Sequence, residues 1–177
     1  FYTNTILNCG GKIIDLTIPK VMGIVNVTPD SFYDGGKITS EKSLLEQVER
    51  MINEGADFID VGGMSSRPGA KEVDWDEEFR RVIPAIALIK KHFPETIISV
   101  DTYRSAIAKT AVENGASIIN DISGWTLDKD MFSTVALLNV PYVLMHIQGT
   151  PQTMQINPHY EDVVQEVIDF FVKKTEQ

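Results

Sequence analysis

Five short, continuous apolar runs recur along the chain with helix-patterned segments between them, and that alternation constrains the fold more than any other feature. The runs are Val21 to Val27, Phe58 to Val61, Ile97 to Val100, Ile118 to Ile122 and Tyr142 to Met145. None alternates apolar with polar, so each reads as a strand buried on both faces, as strands of a parallel sheet are. Between them, Ser40 to Glu54 carries Leu44, Leu45, Val48, Met51 and Ile52 at helical spacing and stops at Gly55. A second helix is expected from Asp74, three residues ahead of Glu77 as in a capping box, to about His92, with a kink at Pro84 where a backbone hydrogen bond is lost. Ser105 to Glu113, Asp130 to Leu138 and Asp162 to Lys174 complete the helical patterns. Ahead of the first run, Thr5 to Leu7 and Lys12 to Leu16 flank Asn8-Cys9-Gly10-Gly11 and read as a hairpin.

One internal echo supports a repeating strand-helix unit. Gly55-Ala56-Asp57-Phe58-Ile59-Asp60 matches Gly115-Ala116-Ser117-Ile118-Ile119-Asn120: a glycine to end a helix, an alanine to pack closely, and an apolar strand ending in a polar residue. The order admits an open doubly wound sheet or a (βα)8 barrel, and 177 residues hold about five units, fewer than a barrel of roughly 250 residues needs.

Composition narrows the partners. The 16 basic against 25 acidic residues give a formal charge of -9, which argues against nucleic acid and anionic membrane. A lone cysteine, Cys9, excludes an intrachain disulfide framework and a multi-cysteine zinc site, and fits a reducing, cytoplasmic setting. No apolar stretch approaches the roughly 20 residues of a spanning helix, and FYTNTILN lacks the pattern of a signal peptide, so neither an anchor nor export is expected.

Parallel strands point the same way, so the residues at their carboxyl ends gather on one face, where ligands bind in both candidate folds. Those ends carry Asn26, Asp60, Asp101, the pair Asn120 and Asp121, and His146. Each alone is compatible with a helix cap or a turn. Together they describe a polar cup, and carboxylates with amides suit a heterocycle rich in N–H donors and ring nitrogens, such as a pterin or a purine. With three histidines and no pair at helical spacing, zinc is not expected, and His146 reads as a hydrogen-bonding rather than a ligating residue. Two glycine-bearing loops follow the first two strands: Thr28-Pro29-Asp30-Ser31-Phe32-Tyr33-Asp34-Gly35-Gly36, and Gly62-Gly63-Met64-Ser65-Ser66-Arg67-Pro68-Gly69. Phe32, Asp34 and Arg67 suggest loops that close over a substrate, against the plainer reading of an exposed ion pair between Asp34 and Arg67.

The stretches MGIVNVTPDSFYDGG, DVGGMSSRPGA, SVDTY, NDISG and LMHIQGTPQTMQ resemble dihydropteroate synthase, in the order of that family and along all 177 residues. The resemblance implies a (βα)8 barrel, here one incomplete pterin-binding domain over residues 1–177 without its carboxyl-terminal third. It implies condensation of dihydropterin pyrophosphate with 4-aminobenzoate to dihydropteroate and pyrophosphate, in folate biosynthesis. It places Asn26 on the pyrophosphate and its magnesium, Asp101 and Asn120 on the pterin ring, and Met145 against it. Ser66, Arg67 and Pro68 fall in the second loop, with Ser66 near the aminobenzoate, and Phe32 and Asp34 in the first, Asp34 offsetting a pterin cation. Ser66 stands where the family commonly has threonine, and Met64 where it commonly has glutamate. The family's later lysine, arginine and histidine motifs do not occur before Gln177, so this chain alone is expected to be inactive, and the whole protein is expected to be a homodimer. Two other readings stay open: the pterin-binding module of a folate-dependent methyltransferase, and an inactive fragment of the synthase.

Overall fold

A computed structural model describes residues 5–27, 37–64 and 73–176. Two strands, β1 (Ile6–Cys9) and β2 (Lys12–Asp15), pair antiparallel as the expected hairpin. Asn8 closes its turn by accepting from the Gly11 N–H at 2.8 Å.

Five parallel strands follow: β3 (Met22–Asn26), β4 (Phe58–Gly62), β5 (Ile97–Asp101), β6 (Ala116–Asp121) and β7 (Tyr142–Leu144). Five helices alternate with them: α1 (Lys37–Asn53), α2 (Trp75–His92), α3 (Ser105–Glu113), α4 (Asp130–Leu138) and α5 (Val163–Thr175). The sheet runs in chain order, β3-β4-β5-β6-β7. That order decides between the two candidate folds. A doubly wound sheet reverses at a switch point, whereas strands added always on the same side, through right-handed crossovers, put every helix on one face and curl toward a barrel.

Asp74 caps α2 by accepting from the Glu77 N–H at 2.8 Å, and acidic residues in its first turn and basic ones in its last complement the helix dipole. The helix is unbroken at Pro84, which lies on its exposed side. Gly55 and Gly115 both adopt positive φ, +102° and +111°, at the equivalent helix ends, so the sequence echo is a structural repeat.

Alternation along each strand separates two layers. Val25, Ile59, Val61, Ile98, Val100 and Ile119 face the helices and form the main core with Val48, Val82, Ile86, Ile89, Ile107 and Met131. On the opposite face, at the amino ends of the strands, Phe58, Ile97 and Ile118 pack with Cys9 of the hairpin, flanked by Leu7, Ile14 and Met22. The hairpin thus closes the bottom of the concave side and leaves the carboxyl ends open. Burial on both faces, expected of all five runs, holds for the three central strands and fails at the edges: Ile24 on β3 is 59% exposed and Val143 on β7 is 41% exposed. Each edge strand has one neighbour among the described residues, so its concave-side residues lack a flank.

Candidate functional site

The sheet register builds the site. Asn26 lies opposite Gly62, Gly62 opposite Asp101, and Asp101 opposite Asn120, so one row crosses four strands at their carboxyl ends. One layer deeper, Ile24, Asp60 and Ser99 form the next row on the same face. Gly62 supplies the space at the centre. A Cβ there would stand 3.2 Å from Asp101 Oδ2 and 3.3 Å from Asn26 Oδ1, so the amide and the carboxylate face each other across a position with no side chain.

The row is polar and poorly solvated. Asn120 Nδ2 donates to Asp60 Oδ2 at 3.1 Å, which orients the amide and leaves its oxygen free to accept from a ligand. Asp60 is 3% exposed and lies beside the Ser99 hydroxyl, which lowers its pKa against the larger effect of burial, yet neither Asp60 Oδ1 nor the Ser99 hydroxyl makes a well-formed hydrogen bond among the described residues. Burial raises the pKa of Asp60. Asp101 is pushed up to about 7, first by burial and then by the negative charges of Asp60, Glu78 and Asp121. Unpartnered polar atoms and a carboxylate held near neutrality mark a place prepared for hydrogen-bond donors that the protein itself does not supply.

Asp121 does not share this cup. It follows Asn120 and therefore points to the other face, where it accepts from the Ser123 N–H at 2.7 Å, the Trp125 N–H at 2.9 Å and the Tyr142 hydroxyl at 2.6 Å. Its role is to close the turn after β6, which corrects its grouping with the strand-end cluster. His146 packs on the Phe170 ring, centroids 4.9 Å apart, and on Tyr160, so the ring faces α5. Met145 lies one residue past β7 and is exposed at that edge. The structure therefore brings Asn26, Asp101 and Asn120 together with Asp60, and leaves Met145 at the rim. Phe32, Asp34, Ser66, Arg67 and Pro68 fall outside the described residues.

Several contributors were not anticipated. Glu78 is fully buried although charged, and accepts from the Thr102 hydroxyl at 2.6 Å and from Arg104. Its signal was its helical spacing with Val82 and Ile89, which places it on the apolar stripe of α2. Ser99 and Thr102 were visible as polar residues bracketing Asp101. Gly62 carried no such signal, because its importance lies in what its neighbours need.

No helix among the described residues is long and apolar enough to cross a membrane. No group of three or more His, Cys, Asp or Glu side chains converges as a metal cage among them. A separate open groove of about 420 Å³, lined by Trp125, Thr126, Lys129, Phe132 and Lys174, lies between the turn after β6 and helices α4 and α5, away from the polar row.

The family described as pterin binding enzyme matches residues 22–177. The chain belongs to that family. Among pterin-binding relatives it is 43% identical to the dihydropteroate synthase of Haemophilus influenzae over 171 residues, 97% of this chain and 62% of that protein. It is 46% identical to the Escherichia coli dihydropteroate synthase over 164 residues, 93% of this chain and 57% of that one. Its fold superimposes on the Xanthomonas albilineans dihydropteroate synthase with 4-aminobenzoic acid at a TM-score of 0.84, with 44% identity, covering 96% of this chain and 59% of the other. The Yersinia pestis dihydropteroate synthase in a sulfonamide drug complex gives 0.86 and 40%, covering 97% and 62%. The chain thus spans about three fifths of the length of the relatives it matches. Its five parallel strands are part of the (βα)8 barrel of these pterin-binding enzymes.

Proposed function

We propose that the chain supplies the pterin-binding part of a dihydropteroate synthase, which joins dihydropterin pyrophosphate to 4-aminobenzoate in folate biosynthesis. The observation that carries this reading is the row Asn26–Gly62–Asp101–Asn120 above a buried, partly unpartnered Asp60. A pterin edge offers adjacent N–H donors beside ring nitrogens. Asp101 accepts from the donors, and the Asn120 amide, with one N–H held by Asp60, presents a fixed oxygen and its second N–H to the ring. Support comes from the relatives: the Xanthomonas enzyme is described with 4-aminobenzoic acid and with 7,8-dihydropteroate.

In the reaction, the bond between the pterin methylene and the pyrophosphate oxygen breaks with its electron pair leaving on pyrophosphate. The methylene cation is then attacked by the arylamine nitrogen, which forms the new C–N bond and gives up a proton. The carboxylates Asp60 and Asp101 would offset positive charge that spreads into the ring, and a site shielded from water would strengthen that attraction. Asn26, at the carboxyl end of β3, would face the pyrophosphate. Its Oδ1 would offer one oxygen to a magnesium ion carried in by the substrate, since magnesium needs only one or two protein ligands when phosphate oxygens supply others. When bound, the ion would neutralise charge on the departing pyrophosphate. The single cysteine, buried at the hairpin, accords with a reducing cytoplasm.

The test is pyrophosphate release by the full-length enzyme. Release that requires 4-aminobenzoate supports the synthase. Pterin binding without such release would instead indicate a binding module that passes its pterin to another reaction.

A further inference from the structure

Asn120 and Asp60 meet across two layers of the concave face. Asn120 stands in the row with Asp101, and Asp60 lies one layer deeper, opposite Ser99. Asn120 Nδ2 donates to Asp60 Oδ2 at 3.1 Å, the one hydrogen bond of that amide among the described residues. An ionised carboxylate only accepts, so it selects the nitrogen arm of the planar amide and turns the oxygen arm away from itself. The backbone that carries the amide is fixed as well, because the Asn120 carbonyl accepts from the Thr102 N–H at 3.0 Å. Asp60 differs from the other buried carboxylates around it. Glu78 has Arg104, and Asp121 has two backbone N–H groups and the Tyr142 hydroxyl. Asp60, 3% exposed, pairs with no cation among the described residues, and its one well-formed hydrogen bond there is to Asn120. Burying a carboxylate without a cation costs stability, and what it secures here is the direction of a single amide at the site.

We propose that Asp60 is a positioning residue that sets specificity: by holding the Asn120 nitrogen it keeps the amide oxygen toward the ring, so that the site accepts the N8–H of a 7,8-dihydropterin and disfavours the fully oxidised ring. The inference rests on the pterin-binding reading above. The two rings share an outline and differ by two hydrogens, one on C7 and one on N8. Their donors at N3 and the 2-amino group are the same, so N8 is the nitrogen through which a polar site can tell them apart. In the dihydro form N8 is a donor, and in the oxidised form it carries only a lone pair. Against a fixed Asn120 oxygen the first makes a hydrogen bond, whereas the second sets two acceptors face to face. Asp101, beside Asn120 in the row, is a further acceptor and reinforces the same choice. An amide free to rotate would offer either arm to either ring and lose the distinction. A site built to bond a substrate N–H rejects an analogue lacking it more strongly than shape alone does.

The test is anaerobic titration calorimetry on the full-length enzyme with a 7,8-dihydropterin and the oxidised pterin bearing the same side chain, alongside thermal unfolding. Wild type should favour the dihydro ring by at least about tenfold. Asp60→Ala frees the Asn120 amide and should lower that ratio by about fivefold or more, with the oxidised ring holding or gaining affinity as the amide turns its NH2 toward N8. Asn120→Ala removes the amide itself and should also flatten the ratio, chiefly by weakening the dihydro ring. Asp60→Ser leaves a polar group that donates as readily as it accepts, so it should relax the ratio as alanine does, and it stands in if the alanine variant fails to fold. A wild type that binds both rings equally, or Asp60 variants that lose affinity for both by the same factor, would overturn the proposal and leave Asp60 a structural residue. A wild-type enzyme that binds neither ring would instead bring down the pterin-binding reading beneath it.

Discussion

The two faces of the same five strands differ more than any two separate regions of the molecule. On the helix side, Val25, Ile59, Val61, Ile98, Val100 and Ile119 are completely buried against other apolar side chains. On the concave side, one residue over in β3 to β6, Asn26, Asp60, Ser99, Asp101 and Asn120 line the carboxyl ends, and two of the polar atoms there have no well-formed hydrogen bond among the described residues. A period of two residues is enough to put stability and chemistry on adjacent positions of one strand without either compromising the other. Substitutions on the two faces should then separate cleanly into those that unfold the protein and those that empty the cup.

The largest effect is expected on the helix side. Ile98 is wholly enclosed between the helix layer and its strand neighbours. Ile98→Ala should cost about 2 to 5 kcal/mol of stability, transfer and cavity together. Urea unfolding of the full-length enzyme measures it. Per folded molecule, affinity for a pterin should be unaltered, and a comparable loss of affinity would show that the two faces are not independent.

Next in size is the reverse substitution. Asp101→Asn removes the charged acceptor of the cup, so pterin affinity should fall at least about tenfold, the scale of one lost charge-assisted hydrogen bond. Stability should hold or improve. Because burial and the charges of Asp60, Glu78 and Asp121 raise the folded-state pKa of Asp101 to about 7, its protonated form is favoured by folding. That contribution is complete below the unfolded carboxylate pKa of about 3.9 and is lost as pH rises through about 7. Ligand affinity runs the other way, since the ionised carboxylate is the stronger acceptor and offers both oxygens to ring N–H donors. Wild-type binding of a pterin without pyrophosphate should therefore weaken as pH falls below about 7, and this dependence should vanish in the Asn variant. Calorimetry at several pH values checks both, and a pH-independent wild type would remove Asp101 from the contact.

The helix-facing layer was the more legible of the two in the sequence. Apolar runs are conspicuous because hydrophobic burial needs only residue type, and the five strands emerged within two residues of their expected bounds, Val21 to Val27 as Met22–Asn26 and Phe58 to Val61 as Phe58–Gly62. What residue type does not convey is direction. Asn120 and Asp121 look alike side by side, yet one lines the cup and the other closes the turn after β6, and only the pleat distinguishes them. Nor does an apolar run report its flanks: Ile24 and Ile59 read alike, but one is on an edge strand and the other in the core. Glu78 was hidden for the opposite reason. A charged residue in a helix is normally read as solvated, and its burial depends on Thr102 and Arg104, 24 and 26 residues away.

The smallest expected effect is the sharpest probe of the comparison, because it tests a residue without a side chain. Gly62 sits mid-row in a central strand, and its φ is not in the left-handed region, so alanine is conformationally acceptable there. Replacing glycine at a compatible position stabilises by roughly 0.4 to 1 kcal/mol through the unfolded chain. The added Cβ, however, would stand 3.2 Å from Asp101 Oδ2 and 3.3 Å from Asn26 Oδ1, so both groups must yield by a few tenths of an ångström. The two contributions oppose each other in stability but not in binding, where only the displacement acts. Gly62→Ala should thus unfold within about 1 kcal/mol of wild type while losing two- to fivefold in pterin affinity, about 0.4 to 1 kcal/mol. Unchanged affinity, measured beside Asp101→Asn, would mean that Asp101 and Asn26 reach the ligand without the gap between them. A loss of stability as large as that of Ile98→Ala would mean that the concave face is packed as tightly as the helix face, and that the contrast between them is one of polarity alone.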